Sequence, residues 1–352
     1  MGVYILILIT VWVAWFVSRT DRRYQHIVSL MLIILISIIA ALRYNVGMDY
    51  LSYDEIFNSI KYGNGNDIEP GFYALCRFVN LIGGTSQLMF LVCSIFTLLI
   101  YYKAFRFLSN NIVLTLSVFI LFGQMYLNTF NAIRQCVAIA IFCYSIKFII
   151  EKKCLKYLFC IIVASLFHMT ALLLIPLYWI LTKKWNFIVK IFILLVSIYF
   201  LPNFILLLIS NSSYASYLTF EKFSTDASFI NYLYILVGAV IMIFEKKILL
   251  NYQHRNILLN INFISLVLSV FFIVFSGTPM TMVVVRLNYY FIIFYAVIAA
   301  RILSDIKMPG LKFICELSVY VIFSILFIRT TLIYGSDYNL LPYEYNINLI
   351  RL

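Results

Sequence analysis

The chain has 352 residues, of which 64% are hydrophobic and 11% charged, and its formal net charge is +12. A soluble domain has an apolar share of about 45–50%, so this composition excludes a soluble enzyme and predicts an all-α polytopic membrane protein. The basic residues form short clusters between apolar runs rather than one continuous stripe. That pattern is typical of membrane topology, so we predict a lipid bilayer and no nucleic acid as partner.

Apolar runs recur along the whole chain, and each approaches the ~17–25 residues that span a bilayer as a helix. They cover residues 3–17, 27–42, 87–102, 110–126, 132–150, 155–182, 187–209, 229–244, 256–275, 287–304 and 311–331. The first run lacks the flanks of a signal peptide, so we expect it to be retained. We predict about 11–12 transmembrane segments in a single polytopic membrane domain over residues 1–352.

The number of segments depends on the long run 155–182. If it crosses the membrane once, the 26 Lys and Arg residues divide evenly between the two sides. If it is a hairpin bent near His168, every basic cluster falls on one side, as the positive-inside rule favours. We therefore predict twelve segments with both termini outside, and the loop of residues 43–86 is then external.

Two amphipathic surface helices are predicted in this external loop. In residues 49–63 the apolar residues follow helical spacing, and Asp49 is placed to cap the helix. A second helix begins at the sequence "EPG", where Pro70 fits the first helical position, and it ends before Gly83. We expect both helices to lie on the bilayer surface.

Arg134 carries the strongest chemical signal. In "NTFNAIRQCVAIAIF" we expect Asn131 to cap an apolar helix, which places Arg134 in the first turn at the external end. A cation there opposes the positive end of the helix dipole, by about 0.3–1 kcal/mol in exposed settings. An anion would reverse that cost, and a guanidinium beside free backbone N–H groups suits the oxygens of a pyrophosphate.

Two further arginines lie at the same predicted membrane level. Arg43 ends the second span, and Arg286 in "MVVVRLNYY" is predicted to open another helix from the outside. Each is explained equally well by interfacial snorkelling, but the three together favour an anionic head group.

His168 in "ASLFHMTALLLIP" is the only histidine inside an apolar run. An imidazole in hydrocarbon is either a hydrogen-bonded core residue or a functional group, and the sequence leaves both open. At the tip of the predicted hairpin it faces the region of Arg134, where a neutral imidazole accepts a proton from a hydroxyl. The seven cysteines have no metal-type spacing, so we predict no metal and no cofactor.

The motifs "RYNVGMDYLSY", "EPGFY", "IRQCVAIAI" and "SLFHMTALLLIPLY", in this order, resemble the EpsG/Wzy group of bacterial polysaccharide polymerases over about residues 40–182. Met48 and Cys136 depart from the family pattern without touching its charged positions. The resemblance implies an inner-membrane glycosyltransferase that joins polyprenyl-pyrophosphate-linked oligosaccharide repeat units on the periplasmic face. It leaves open whether a chain-length regulator also binds.

The resemblance also implies roles for the candidate residues. His168 or Asp49 takes the proton of the attacking hydroxyl, and Arg134 stabilises the leaving pyrophosphate. The residues assigned to substrate binding are Arg43, Arg286, Glu69, Gln135, Tyr50 and Tyr73. Glu69 and Asp49 are explained equally well as favourable groups at helix N-termini, and each tyrosine taken singly is better explained by an interfacial aromatic belt than by stacking on a sugar.

Two other functions compete with polymerisation. A transporter or flippase of lipid-linked oligosaccharides also uses many spans, but it places charges deep within several helices or contains broken helices. A ligase-type glycan transferase expels the same lipid pyrophosphate, so the sequence does not separate it from a polymerase.

Overall fold

The computed structural model describes residues 1–21, 23–65, 67–122, 125–210, 228–278, 280–333, 335 and 339–348. In this part of the chain the structure is almost entirely helical. The helices are α1 (Gly2–Thr20), α2 (Tyr24–Leu42), α3 (Tyr50–Lys61), α4 (Pro70–Leu81), α5 (Ser86–Leu108), α6 (Ile112–Leu121), α7 (Ile133–Ile150), α8 (Cys154–Ser165), α9 (Leu177–Ile180), α10 (Phe187–Ser210), α11 (Phe229–Ile243), α12 (Arg255–Val274), α13 (Met280–Ile292), α14 (Phe294–Ser304) and α15 (Pro309–Ile333). Two short 3-10 helices cover Leu127–Phe130 and Met169–Leu174. One small antiparallel pair joins β1 (Arg43–Tyr44) to β2 (Glu344–Tyr345).

The described residues contain seven helices that are long and apolar enough to cross a membrane. They are α1, α2, α5, α7, α12, the combined segment Met280–Ser304 and α15. Shorter apolar helices cover Ile112–Leu121, Cys154–Ser165, Met169–Ile180, Phe187–Phe200 and Phe229–Ile243. Each predicted apolar run thus contains a helix, and the prediction of an all-α polytopic membrane protein is confirmed.

The chain divides into two compact units, one of Met1–Ile175 with Ala299–Leu352 and one of Pro176–Ile298. In the first unit, α2 packs against α5, α5 against α7, and α7 against α8. The end of α1 is joined to α15 by an ion pair, in which Arg19 Nη1 lies 2.6 Å from Glu316 Oε2. The prediction of a single domain over the whole chain remains a prediction.

The second unit is held by polar contacts between apolar helices. Asn288 of α13 is buried, accepts a hydrogen bond from Ser265 Oγ at 2.8 Å and donates one to Ser269 Oγ at 2.9 Å on α12. A buried ion pair joins Lys190 of α10 to Glu245, which follows α11. Such pairs satisfy polar groups that hydrocarbon cannot solvate.

The two helices predicted in the loop of residues 43–86 are present as α3 and α4. Their apolar sides pack against each other and against α5, so protein covers the faces that we expected to rest on lipid. The buried residues of this cluster are Tyr50, Tyr53, Phe57, Ile60, Phe72, Cys76, Val79, Met89, Phe90, Cys93 and Ile133. This packing fixes both helices beside the start of α7.

The run 155–182 bends near His168, as the hairpin prediction requires. Helix α8 ends at Ser165, His168 is extended (φ −155°, ψ 112°), and the 3-10 helix that follows runs back beside α8. The Tyr157 hydroxyl closes the hairpin by donating to Leu174 O at 2.6 Å. The bend therefore places His168 at the tip of two short apolar arms.

Candidate functional site

The start of α7 is built differently from the sequence prediction. Helix α7 begins at Ile133 with Ala132 at the N-cap position, and this N-cap residue makes no side-chain capping hydrogen bond. The prediction that Asn131 is the cap is wrong. Its Oδ1 lies instead against the backbone of Gly47, at 2.8 Å from the position of an added Cβ. The first backbone N–H groups of α7 therefore lack a side-chain cap from Asn131.

Arg134 is the second residue of α7, as predicted, and it has an anionic partner within the chain. Its Nη1 forms an ion pair with Glu69 Oε2. The Arg134 side chain keeps 25% of its surface exposed, whereas that of Glu69 keeps 9%. The guanidinium carbon lies 5.9 Å from the ring centroids of both Tyr53 and Phe72. Glu69 thus supplies the negative charge that the positive end of α7 and the arginine both favour.

Glu69 also contacts His168. It precedes Pro70, the first residue of α4, and its Oε1 lies 3.4 Å from His168 Nδ1. Burial raises the pKa of the Glu69 carboxyl, but the hydrogen bond with His168 and the charge of Arg134 outweigh burial and hold the pKa below its ordinary value. One carboxylate therefore bridges a guanidinium and an imidazole. We call Glu69, Arg134 and His168 the Glu69 cluster.

The approach of Glu69 to His168 depends on Gly71. The Gly71 N–H donates to Leu166 O at 2.8 Å, which joins the start of α4 to the hairpin bend. A Cβ on residue 71 would lie 2.8 Å from that same carbonyl oxygen and 2.9 Å from Leu166 Cβ. Sequence reasoning missed this role, although a glycine directly inside a Pro-initiated helix is a signal of close backbone approach.

Asp49 lies near enough to Tyr53 to act on its hydroxyl electrostatically. It occupies the N-cap position of α3, but its side chain makes no capping hydrogen bond, so the predicted cap is wrong. Burial raises the pKa of the Tyr53 hydroxyl, with Arg134 opposing this shift and Asp49 adding to it. The backbone N–H of Arg134 donates to Tyr53 Oη at 3.5 Å. Tyr53 therefore connects the half-buried Asp49 with the Glu69 cluster.

Arg43 does not join the Glu69 cluster. It is 0% exposed, and its guanidinium donates to the carbonyl oxygens of Val46 and Phe130, each at 3.1 Å, and to that of Ala40. The guanidinium carbon of Arg43 also lies 4.7 Å from the ring centroid of Phe90. Its donors therefore bond to backbone carbonyls inside the protein, and its assignment to substrate binding stays a prediction.

The two candidate tyrosines are placed differently from each other. Tyr50 is buried, stacks on Phe90 with ring centroids 4.7 Å apart and donates to Gln87 Oε1 at 3.3 Å. Tyr50 therefore packs inside the protein, and its predicted contact with a sugar stays a prediction. Tyr73 is half-buried at the edge of the apolar cluster, where a Cβ added at Gly65 would lie 3.4 Å from its ring.

The two remaining candidates are Gln135 and Arg286. Gln135 is 2% exposed, inside the protein. Arg286 belongs to the second unit and lies about two turns inside α13, which the structure describes from Met280 onward. The prediction that Arg286 opens its helix is therefore wrong, because residues before it that were assigned to a loop are helical.

In the described part of the chain, no group of three or more His, Cys, Asp or Glu residues is arranged to hold a metal ion. The chemistry at the Glu69 cluster is that of a cation, a carboxylate and an imidazole at the first turn of an apolar helix.

The fold and this cluster define a polytopic membrane protein in which Glu69, Arg134 and His168 meet at the first turn of an apolar helix. The model of the EpsG family matches residues 26–345, and the chain belongs to this family. Membership of this family implies a general role as a polysaccharide polymerase. The family and the apolar helices together indicate a multi-pass membrane protein. No curated protein and no solved structure matches the chain.

Proposed function

We propose that this protein is a membrane glycosyltransferase that polymerises polyprenyl-pyrophosphate-linked oligosaccharide repeat units. The reaction takes place on the periplasmic face of the bacterial inner membrane, at the Glu69 cluster. The observation that carries this proposal is the Glu69 carboxylate, which lies between Arg134 and His168 at the first turn of α7. The clusters of Lys and Arg between the apolar runs favour the cytoplasmic side of the membrane. This preference supports a periplasmic position for the Glu69 cluster, at the opposite ends of the helices.

In this reaction a sugar hydroxyl of one lipid-linked unit attacks the anomeric carbon of another. A new glycosidic C–O bond forms as the bond from the anomeric carbon to the pyrophosphate oxygen breaks, and polyprenyl pyrophosphate leaves with the electron pair. Arg134 stabilises the charge that develops on this leaving group. Glu69 engages one guanidinium nitrogen, and the exposed quarter of the side chain is where we place the pyrophosphate.

His168 takes the proton of the attacking hydroxyl. Glu69 Oε1 lies 3.4 Å from His168 Nδ1 and favours a proton on that nitrogen, which leaves Nε2 as the basic nitrogen. A carboxylate that orients a histidine in this way also stabilises the imidazolium that forms. Asp49 is the alternative base, because it is half-buried and makes no ion pair in the described part of the chain.

The test is the length pattern of the lipid-linked glycan in cells that carry the wild-type protein, Arg134→Lys, His168→Gln, Asp49→Asn or no copy. We expect the ladder to collapse to single repeat units for Arg134→Lys and His168→Gln, with the proteins still inserted. The matched control is Arg77→Lys, which changes an exposed arginine of α4.

Each outcome separates the alternatives. A collapse with Asp49→Asn but not with His168→Gln would assign the base to Asp49. A ladder that survives both Arg134→Lys and His168→Gln at normal protein levels would reject this site. Undiminished chain length without the protein would indicate a ligase or a transporter instead.

A further inference from the structure

The end of the chain forms a strap, defined here as residues 339–348, that lies over the start of the loop of residues 43–86. Its strand β2 pairs antiparallel with β1, so that Arg43 is opposite Tyr345 and Tyr44 is opposite Glu344. Beyond the strand, the N–H of Asn346 donates to Leu42 O at 2.8 Å. The strap therefore continues the hydrogen bonding to the last residue of α2.

Asn339 holds the turn of residues 45–47 with two hydrogen bonds. Its Nδ2 donates to Asn45 O at 2.6 Å, and its own carbonyl oxygen accepts from the Gly47 N–H at 2.9 Å. Its φ of +48° lies in the left-handed region, which asparagine tolerates better than most side chains. The side chain and backbone of one residue thus close both ends of the turn.

Other contacts anchor the strap to three helices. Tyr343 Oη donates to Ile39 O on α2 at 2.6 Å, and Tyr4 Oη of α1 donates to Leu340 O at 2.9 Å. Thr85 Oγ1, immediately before α5, donates to Asn348 O at 2.5 Å. Because these helices fix the strap along its length, Asn339 presents its two hydrogen bonds from a supported position.

The turn of residues 45–47 lies directly against the residues that precede α7. Gly47 has φ +99°, and a Cβ there would lie 2.7 Å from Phe130 O. Arg43 joins the same two segments, since it donates to both Val46 O and Phe130 O. Arg134 is the second residue of the helix that follows. A shift of the turn is therefore transmitted to the backbone that presents Arg134, and Asp49 follows the turn on its other side.

We propose that Asn339 is a positioning residue for the polymerisation reaction, acting through the turn of residues 45–47 on the start of α7. This inference rests on the proposed function, because that proposal assigns Arg134 to the leaving pyrophosphate. Asn339 itself touches no substrate. Its effect is on the geometry of the catalytic arginine, and small misplacements of such groups lower turnover strongly.

The test uses Asn339→Gly and Asn339→Asp in membrane vesicles supplied with lipid-linked repeat units. Glycine keeps the backbone freedom needed at φ +48° and removes the donor, while aspartate keeps the size and replaces the donor by an oxygen. We expect kcat to fall about tenfold in both, with KM changed by less than about twofold. Asn348→Ala is the matched control, because it removes an exposed asparagine side chain from the same strap and should leave kcat unchanged.

A cross-link supplies the rescue. Tyr44 and Glu344 are directly opposite in the β1–β2 pair. Residues opposite each other in an antiparallel pair have Cα atoms about 4.5–5.5 Å apart, within the range of a disulfide. In Asn339→Gly, the added pair Tyr44→Cys and Glu344→Cys should restore most of kcat when oxidised and none when reduced. In the chain with Asn339 intact, oxidation should leave kcat unchanged.

The outcomes separate this inference from the proposed function. Normal kcat in both Asn339 variants, with Arg134→Ala inactive, would reject the positioning role alone. An active Arg134→Ala beside slow Asn339 variants would reject the proposed function. In the chain with Asn339 intact, oxidation of the cysteine pair could instead abolish activity, and a reductant could restore it. That result would show that the strap must open and would also overturn the positioning role.

Discussion

Glu69 and Arg134 form an ion pair between the start of α4 and the first turn of α7, although 65 residues separate them in the chain. The pair resolves an electrostatic conflict, since a cation in the first turn of a helix is otherwise unfavourable. The same carboxylate contacts His168, so one residue sets the surroundings of both groups that we assign to catalysis. Four predictions follow from this arrangement and its supports.

Glu69→Gln should abolish polymerisation and lower stability. The substitution keeps the shape of the side chain but leaves the part-buried Arg134 without its counter-charge. We expect a loss of about 1.5–3 kcal/mol in the free energy of unfolding, the range for a hydrogen bond to a charged group. The measurement is thermal unfolding in detergent together with the glycan ladder in cells.

Glu55→Gln is the matched control for that experiment, because Glu55 is an exposed carboxylate of α3. It should change neither stability nor the ladder. A Glu69→Gln protein that polymerises normally would show that the cluster is structural only.

Gly71→Ala should separate Glu69 from His168. The added Cβ would lie 2.8 Å from Leu166 O, so the start of α4 must move away from the hairpin bend. Overpacking of this kind costs typically about 1–3 kcal/mol, and we expect polymerisation to fall at least as strongly as stability. Gly310→Ala is the control, because a Cβ at that glycine meets nothing within 4 Å. Equal behaviour of the two variants would contradict the close approach.

Arg43→Met should reduce the amount of folded protein rather than catalysis alone. The substitution removes the donor to three backbone carbonyls in a fully buried position, so each acceptor loses its partner. We expect a destabilisation of about 3 kcal/mol or more from these unpaired groups. The measurement is the yield of monodisperse protein in detergent. Normal yield with a lost ladder would instead support the predicted role of Arg43 in substrate binding.

The stabilising effect of Glu69 should disappear in acid. Its pKa is lower in the folded protein than the ordinary value of 4.5, so the ionised carboxylate stabilises the fold above that pH. This contribution is lost as the pH falls through the lower, folded-state pKa. The difference in unfolding temperature between wild type and Glu69→Gln should therefore be constant near neutral pH and shrink below pH 4.5. A difference that grows in acid would contradict the assigned sign.

The local parts of the site could be predicted from the sequence. Pro70 marked the start of α4, the apolar run placed Arg134 in the first turn of α7, and the distribution of basic residues favoured the bend at His168. Each of these depends on residues close together in the chain or on a simple count. The sequence also predicts an anion beside Arg134, because a cation in the first turn of a helix is unfavourable without one.

The partners of these residues could not be predicted, because they are distant in the chain. Nothing local distinguishes Glu69 as a partner of Arg134 from Glu69 as a charge at its own helix N-terminus. Arg43 at the end of a span has the same sequence pattern whether it faces water or the interior, and only packing showed that it is buried. A strand of two residues such as β2 has no periodicity to detect.

The position of the strap in the chain sets an order on the biogenesis of the protein. Residues 339–348 are translated after every described helix, including α15. A nascent chain that has released α15 to the membrane already holds Glu69, Arg134 and His168, but it lacks the asparagine that closes the turn beside them. The turn beside the Glu69 cluster is thus closed only after the cluster and every described helix have been synthesised.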